Sequence, residues 1–171
     1  MTSSQRKFAL TMHVAASVGL LGSIAAFLAL AVAGLISRDT QMVRAAYPAM
    51  ALIARFVIVP LAFAASLTGL IQSLGTSWGL FRHYWVSLKL LLTVFATAVL
   101  SIKMELIDYA ARLAEETKSS GADLRAAGIQ LAVHATGGLL VLLVPMVLSV
   151  YKPPGMTRYG HRKLHEQHAP L

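Results

Sequence analysis

The chain has 171 residues, 57% of them apolar and 13% charged, with a mean hydropathy of +0.67. A soluble globule averages nearer half apolar and about a quarter charged, so this composition points to one membrane-embedded domain. Cysteine is absent, which excludes disulfides, iron–sulfur clusters, thiolate zinc sites and covalently attached c-type haem. The net charge of +8 sits at the ends of apolar runs and in the tail, which suits anionic lipid headgroups rather than nucleic acid.

The first apolar run, Phe8 to Ile36, follows Arg6-Lys7 and ends at Arg38-Asp39. Ala31-Val32-Ala33 has the small residues of a cleavage site, but the run far exceeds the 7–15 or so apolar residues of a signal peptide. It is expected to be a retained helix, because about 20 residues suffice to cross a bilayer. Arg44 to Arg55 is a mixed connector, in which Tyr47-Pro48 suits a helix start. The second run, Phe56 to Leu74, contains Pro60, whose missing N–H releases a backbone carbonyl that needs another partner in lipid.

Gly75-Thr76-Ser77-Trp78-Gly79 reads as a tight turn with an interfacial tryptophan. The third run starts at Tyr84-Trp85 and reaches Ile102. Met104, Ile107, Ala111 and Ala114 then recur at helical spacing, so this helix is expected to continue into water. Lys118-Ser119-Ser120-Gly121 ends it, and Asp123 can cap the next helix. The fourth run, Ile129 to Val150, carries His134, Gly137-Gly138 and Pro145, and a basic tail follows Tyr151.

The expected fold is therefore all-α, an integral membrane four-helix bundle. Its spans cover about residues 8–36, 52–74, 84–104 and 127–150, with a basic, histidine-containing tail over 156–171. Four spans put both termini on one side. Lys and Arg divide evenly between the two sides; the expectation is a bacterial inner-membrane protein with both termini cytoplasmic.

Ionisable groups inside hydrocarbon are costly, about 2.5–3.5 kcal/mol on insertion scales, so His13, Lys89, His134 and, at one edge, Arg55 are the candidates for function. His13 lies five residues past Phe8, and Lys89 four past Trp85 on a helix entering from the same side, so the two share a depth. His134 lies on the order of 20 Å away along the membrane normal, which argues against a bis-histidine haem between the first and fourth helices.

Two basic groups at one depth need an anion between them or a metal that takes neutral nitrogen, and haem offers both: iron for the imidazole and propionates for the lysine. Ala16 and Ser17, one turn beyond His13, are small enough to admit a flat ring. The alternative is structural: an imidazole bonded to a neighbouring helix, and a lysine reaching the interface along its own stem. His134 is expected to bond between helices, and Arg55 to anchor the second helix among headgroups.

Ala15-Gly19-Ser23 and Ala65-Gly69-Ser73 read as helix-packing stripes. The scattered methionines lack paired spacing for copper(I). His161, His165 and His168 would share one face of a helix and offer a zinc, nickel or copper(II) set, but Gly160 and Pro170 limit such a helix and a solvated tail is expected. No nucleophile–base pair, phosphate loop or pair of membrane carboxylates is apparent.

The segment from Ser73 to Leu90, SLGTSWGLFRHYWVSLKL, resembles a signature of a family of small bacterial membrane proteins of unknown function. More distantly, the chain resembles the HemJ-type protoporphyrinogen oxidases and the CopD-type copper-resistance membrane domain. The shared features are His13 early in the first helix, Pro60 and Thr68-Gly69 in the second, Trp85 and Lys89-Leu90 in the third, and the closing Lys152-Pro153.

The distant resemblance implies haem b in a four-helix bundle, with His13, the metal ligand, and Lys89 beside it. The chain departs from the HemJ pattern at Val99-Leu100-Ser101, where that family has a histidine, and at His134-Ala135, where it has Asn-Glu. The resemblance thus carries haem binding further than porphyrinogen oxidation. Besides lipid and haem, the expected partner is a second copy or a membrane subunit; a cofactor-less scaffold is the alternative function.

Overall fold

The computed structural model describes residues 2–75, 84–116 and 121–151. The turn with Trp78 and His83, the Lys118-Ser119-Ser120 helix stop and the tail with His161, His165 and His168 lie outside these described residues, as does the Trp85 side chain.

Helix α1 spans Ser3–Ile36. Thr2 and Gln5 close a reciprocal capping box at its start, each side chain accepting from the other's backbone N–H. Helix α2, Thr40–Ile53, starts where the Asp39 carboxylate accepts the Gln41 N–H at 2.9 Å. One π-helical turn, Ala54–Ile58, joins it without a break to α3, Val59–Gly75. Helix α4 runs Tyr84–Glu115 and α5 Gly121–Tyr151, with Asp123 in the first turn of α5, where a negative charge meets the positive end of the helix dipole.

Four units are long and apolar enough to cross a membrane: α1, α2 with α3, α4 and α5. Each has 30 to 35 residues, so at about 1.5 Å per residue all exceed the roughly 30 Å hydrocarbon core and reach beyond it.

The expected connector over 44–55 is instead helical, and Pro48 sits inside α2 rather than at its start. Tertiary packing accounts for this: Ala46, Tyr47, Met50 and Ala54 form one buried face, and Met50 and Ala54 are fully enclosed. The π turn precedes Pro60 by one residue. Proline supplies no N–H and its ring crowds the carbonyl four residues back, and the wider turn relieves that crowding. Within it, the Val59 N–H bonds the Ala54 carbonyl five residues back.

Sequential neighbours pack around a ring: α1 against α2 and α3, those against α4, α4 against α5, and α5 back against α1. The bundle therefore alternates in direction, and the start of α1 and the end of α5 lie at one end. Its centre is rich in alanine, with Ala16, Ala31, Ala54, Ala62, Ala65, Ala110 and Ala114 all buried. Small side chains suit this setting, since in lipid helices associate by close contact and hydrogen bonds rather than by escape from water. Many large apolar side chains point outward, as with Phe56 at 68% and Leu91 at 65% exposure, as a lipid-facing surface requires.

Ile107, Ala110 and Ala114 are buried along the extension of α4 beyond Ile102. The extension therefore packs rather than dangles. Where it passes the π turn, Arg55 Nη2 donates to Asp108 Oδ2 at 2.6 Å. Arg55 is thus tied to α4 by an ion pair while its side chain stays 56% exposed.

At the end away from the termini, Tyr47 is wedged between two glycines. A Cβ on Gly34 would lie 3.1 Å from its Cε2, and one on Gly128 would collide with its hydroxyl. Gly34 and Gly128 therefore set how closely α1 and α5 close on α2. The Tyr47 hydroxyl has no hydrogen-bond partner among the described residues.

Candidate functional site

At the other end the four helices enclose a cavity of about 720 Å³, lined from α1, α3, α4 and α5. This lies within the roughly 300–1,000 Å³ of small-molecule sites. His13 and Lys89 both line it, so the depth assigned to them by counting along two helices that enter from the same side corresponds to a shared space.

His13 sits on the seam of α1 and α3. Along α3, Ala65, Thr68, Gly69 and Gln72 recur at three- and four-residue spacing and so share one face. Opposite them on α1 stand Ala9, His13 and Ala16. Gln72 Nε2 donates to the Ala9 carbonyl at 3.0 Å, and His13 Nδ1 lies 3.2 Å from the Ala65 carbonyl and 3.1 Å from the Thr68 hydroxyl. Gly69 makes room for the ring: a Cβ there would stand 3.2 Å from His13 Cε1.

These contacts fix the tautomer. A carbonyl only accepts, and the Thr68 hydroxyl already donates to the Ala64 carbonyl at 2.6 Å. Both therefore require the proton on His13 Nδ1, and the neutral ring carries its lone pair on Nε2. Nε2 has no hydrogen-bond partner among the described residues.

Lys89 reaches across to α5, where Nζ donates to Ser149 Oγ at 2.9 Å. Ser149 in turn donates to the Pro145 carbonyl at 2.8 Å. Ser17, Thr93 and Gln72 add polar atoms to the lining, together with Arg6 near the start of α1. Ser17 thus faces the cavity as expected, whereas Ala16 is buried against the core. Ser66, also in the lining, meets Thr97 at 3.2 Å and links α3 to α4.

His134 takes no part in this site. It is exposed on the outer face of α5, and its Nδ1 bonds the Gln130 carbonyl of its own helix at 2.6 Å. The bond expected to run between helices is therefore local. Among the described residues, no three His, Cys, Asp or Glu side chains converge as a metal cage.

The expected packing stripes divide. Ala65, Gly69 and Ser73 pack inward, and Gly19 meets Leu61, where a Cβ would lie 3.2 Å from Cδ1; Ala15 is exposed. Thr68 and Gln72 did not stand out from sequence as site residues. Their spacing from Gly69 is legible in the sequence and marks a more polar side of α3, but which neighbouring helix that side meets is not.

Fold and cavity together define a multi-pass membrane protein: an all-α four-helix bundle with a mostly apolar chamber that carries a few polar side chains, near the end where α1 starts and α5 stops. No protein family, curated protein or solved structure matches the chain.

Proposed function

We propose that this protein binds haem b within its bundle, with His13 as axial ligand and Lys89 as a second ligand or a propionate partner, in a redox or electron-transfer role. The observation that carries this reading is the His13 tautomer. Histidine ligands to metals commonly donate the other ring N–H to a carbonyl, which orients the ring and raises its basicity. His13 has that arrangement, with Nδ1–H held by Ala65 and Thr68 and the Nε2 lone pair left for a metal.

The donor set fits haem better than a bare ion. A porphyrin fills four positions itself and asks the protein for one or two axial donors and for cations near its propionates. His13 supplies the first, and Lys89 with Arg6 supplies the second. Once bound, haem would supply one-electron chemistry, while the apolar walls would exclude water. The resemblance to HemJ-type proteins points the same way. The reading includes residence in a bacterial inner membrane with cytoplasmic termini.

A second reading has its own support. Both His13 and Lys89 hold hydrogen bonds to a neighbouring helix, the role each would have in a cofactor-less scaffold or accessory subunit that pairs with itself or a membrane partner.

Absorption spectra separate the two. The full chain, expressed in haem-replete cells and purified in mild detergent, should show a stoichiometric Soret band, with sharp α and β bands after dithionite. A colourless, helical protein that co-purifies with a partner would establish the scaffold instead.

A further inference from the structure

The outer face of α5 carries two polar side chains at membrane depth. Between Ala126 and Tyr151 the sequence has no Asp, Glu, Lys or Arg. A core of about 30 Å centred on that stretch takes in about 20 residues, from near Ile129 to near Leu148. Gln130 lies just inside its edge and His134 about 7 Å deep, and both residues are exposed on the bundle. An imidazole at that depth is too short to reach the headgroups, and an unpaired polar group in hydrocarbon is strongly unfavourable.

The His134 Nδ1 is held by the Gln130 carbonyl of its own helix at 2.6 Å. A carbonyl only accepts, so Nδ1 carries the proton and Nε2 is the acceptor of the neutral ring. The two ring nitrogens point in nearly opposite directions, so Nε2 points away from the turn that holds Nδ1. It has no hydrogen-bond partner among the described residues, and neither has the Gln130 side-chain amide.

Gly137 adds a separate observation. Gln130, His134, Gly137 and Val141 recur at spacings of four, three and four, so they share one stripe of α5. Gly137 is exposed, and a Cβ on it would meet no atom within 4 Å. Glycine weakens a helix relative to alanine, and nothing in its own chain requires one here. Close approach of another helix backbone does require it.

We propose that a second copy of this chain packs on this face of α5. Copies inserted in the same sense meet about a two-fold axis along the membrane normal, so the two α5 helices run parallel and cross at Gly137. An amide donor and an imidazole acceptor one turn apart make the stripe complementary to itself. Gln130 of each copy donates to His134 Nε2 of the other, and two bonds form at once. The pairing is separate from the cavity and does not rest on the haem reading.

The chain has no cysteine, so single ones can be introduced for the test. The full chain with Ser4→Cys, at the exposed start of α1, is labelled with donor or acceptor dye and reconstituted in lipid vesicles. Energy transfer should fall along a monomer–dimer curve as lipid is added. Gln130→Leu and His134→Leu should each weaken association about tenfold, the loss of two interhelical hydrogen bonds. The double variant should be little worse than either single one, because both act through the same bonds. Gly137→Leu fills space that is open in one copy and should weaken association at least as much, with helical circular dichroism retained.

Val144→Cys, seven residues beyond Gly137 on the same stripe, should cross-link between copies under mild oxidation. Leu67→Cys, exposed on α3 across the bundle, should not. A chain that stays monomeric at every lipid ratio would overturn the proposal. So would association unchanged in all three leucine variants, or cross-linking through Leu67→Cys in place of Val144→Cys. Absorption spectra of the same preparations test the haem reading independently.

Discussion

Gly128→Ala puts the joint between α5, α1 and α2 under strain. The added methyl collides with the Tyr47 hydroxyl and lies 2.8 Å from Leu35 Cδ2. A flexible side chain would swing aside at little cost, but Tyr47 is rigid and only 1% exposed, and its ring is backed by Gly34. Overpacking typically costs about 1–3 kcal/mol, and the confinement of the ring puts this case at the upper end, about 2–3 kcal/mol. For a chain of this size that corresponds to a fall of about 5–10 °C in the apparent unfolding midpoint in detergent.

The hydroxyl has no hydrogen-bond partner among the described residues, so Tyr47→Phe alone should change stability by less than about 0.5 kcal/mol. Combined with Gly128→Ala it should restore at least half the loss, the Leu35 contact accounting for the remainder. Thermal unfolding followed by circular dichroism reads all four proteins as a double-mutant cycle. A Gly128→Ala protein as stable as wild type, or one that Tyr47→Phe does not rescue, would refute the packing argument.

Thr68→Val keeps the shape of the side chain but removes one acceptor of the His13 N–H, leaving the Ala65 carbonyl at 3.2 Å. Haem affinity by titration should fall about 10–100-fold, as for other partners of metal-bound histidine, and an unchanged affinity would remove Thr68 from the site. His134→Ala deletes a ring that bonds only its own helix among the described residues, so haem content should hold and stability shift by less than about 0.5 kcal/mol; loss of haem would mean that the second histidine is a ligand. Arg55 and Asp108 are 56% and 31% exposed, so Arg55→Ala should cost less than about 1 kcal/mol, and less still at high salt. A larger loss, insensitive to salt, would mean that the ion pair holds the π turn in place.

The depth of the site was readable because it depends only on helix direction and rise. Counting from Phe8 and Trp85 put His13 and Lys89 at one level, and both line one cavity. Helix rotation was not readable. With apolar residues all round α1 and α5, nothing in the sequence says that His13 turns to Thr68, that Lys89 turns to Ser149, or that His134 turns outward.

The segment over 44–55 is helical rather than a connector for a related reason. Arg44 and Pro48 look like punctuation, whereas the deciding force is burial of Tyr47, Met50 and Ala54 between helices distant in sequence. Pro60 did signal a backbone irregularity. Its form, a π turn that brings Arg55 beside Asp108, depends on the neighbouring helix.

The most direct measurement is the haem content of His13→Ala beside wild type, purified in parallel from haem-replete cells and read from oxidised and dithionite-reduced spectra. Wild type should carry about one haem b per chain, and the variant should lose it while keeping its helical circular dichroism. A variant that retains the wild-type spectrum, or a wild type that folds without colour, would contradict haem ligation by His13.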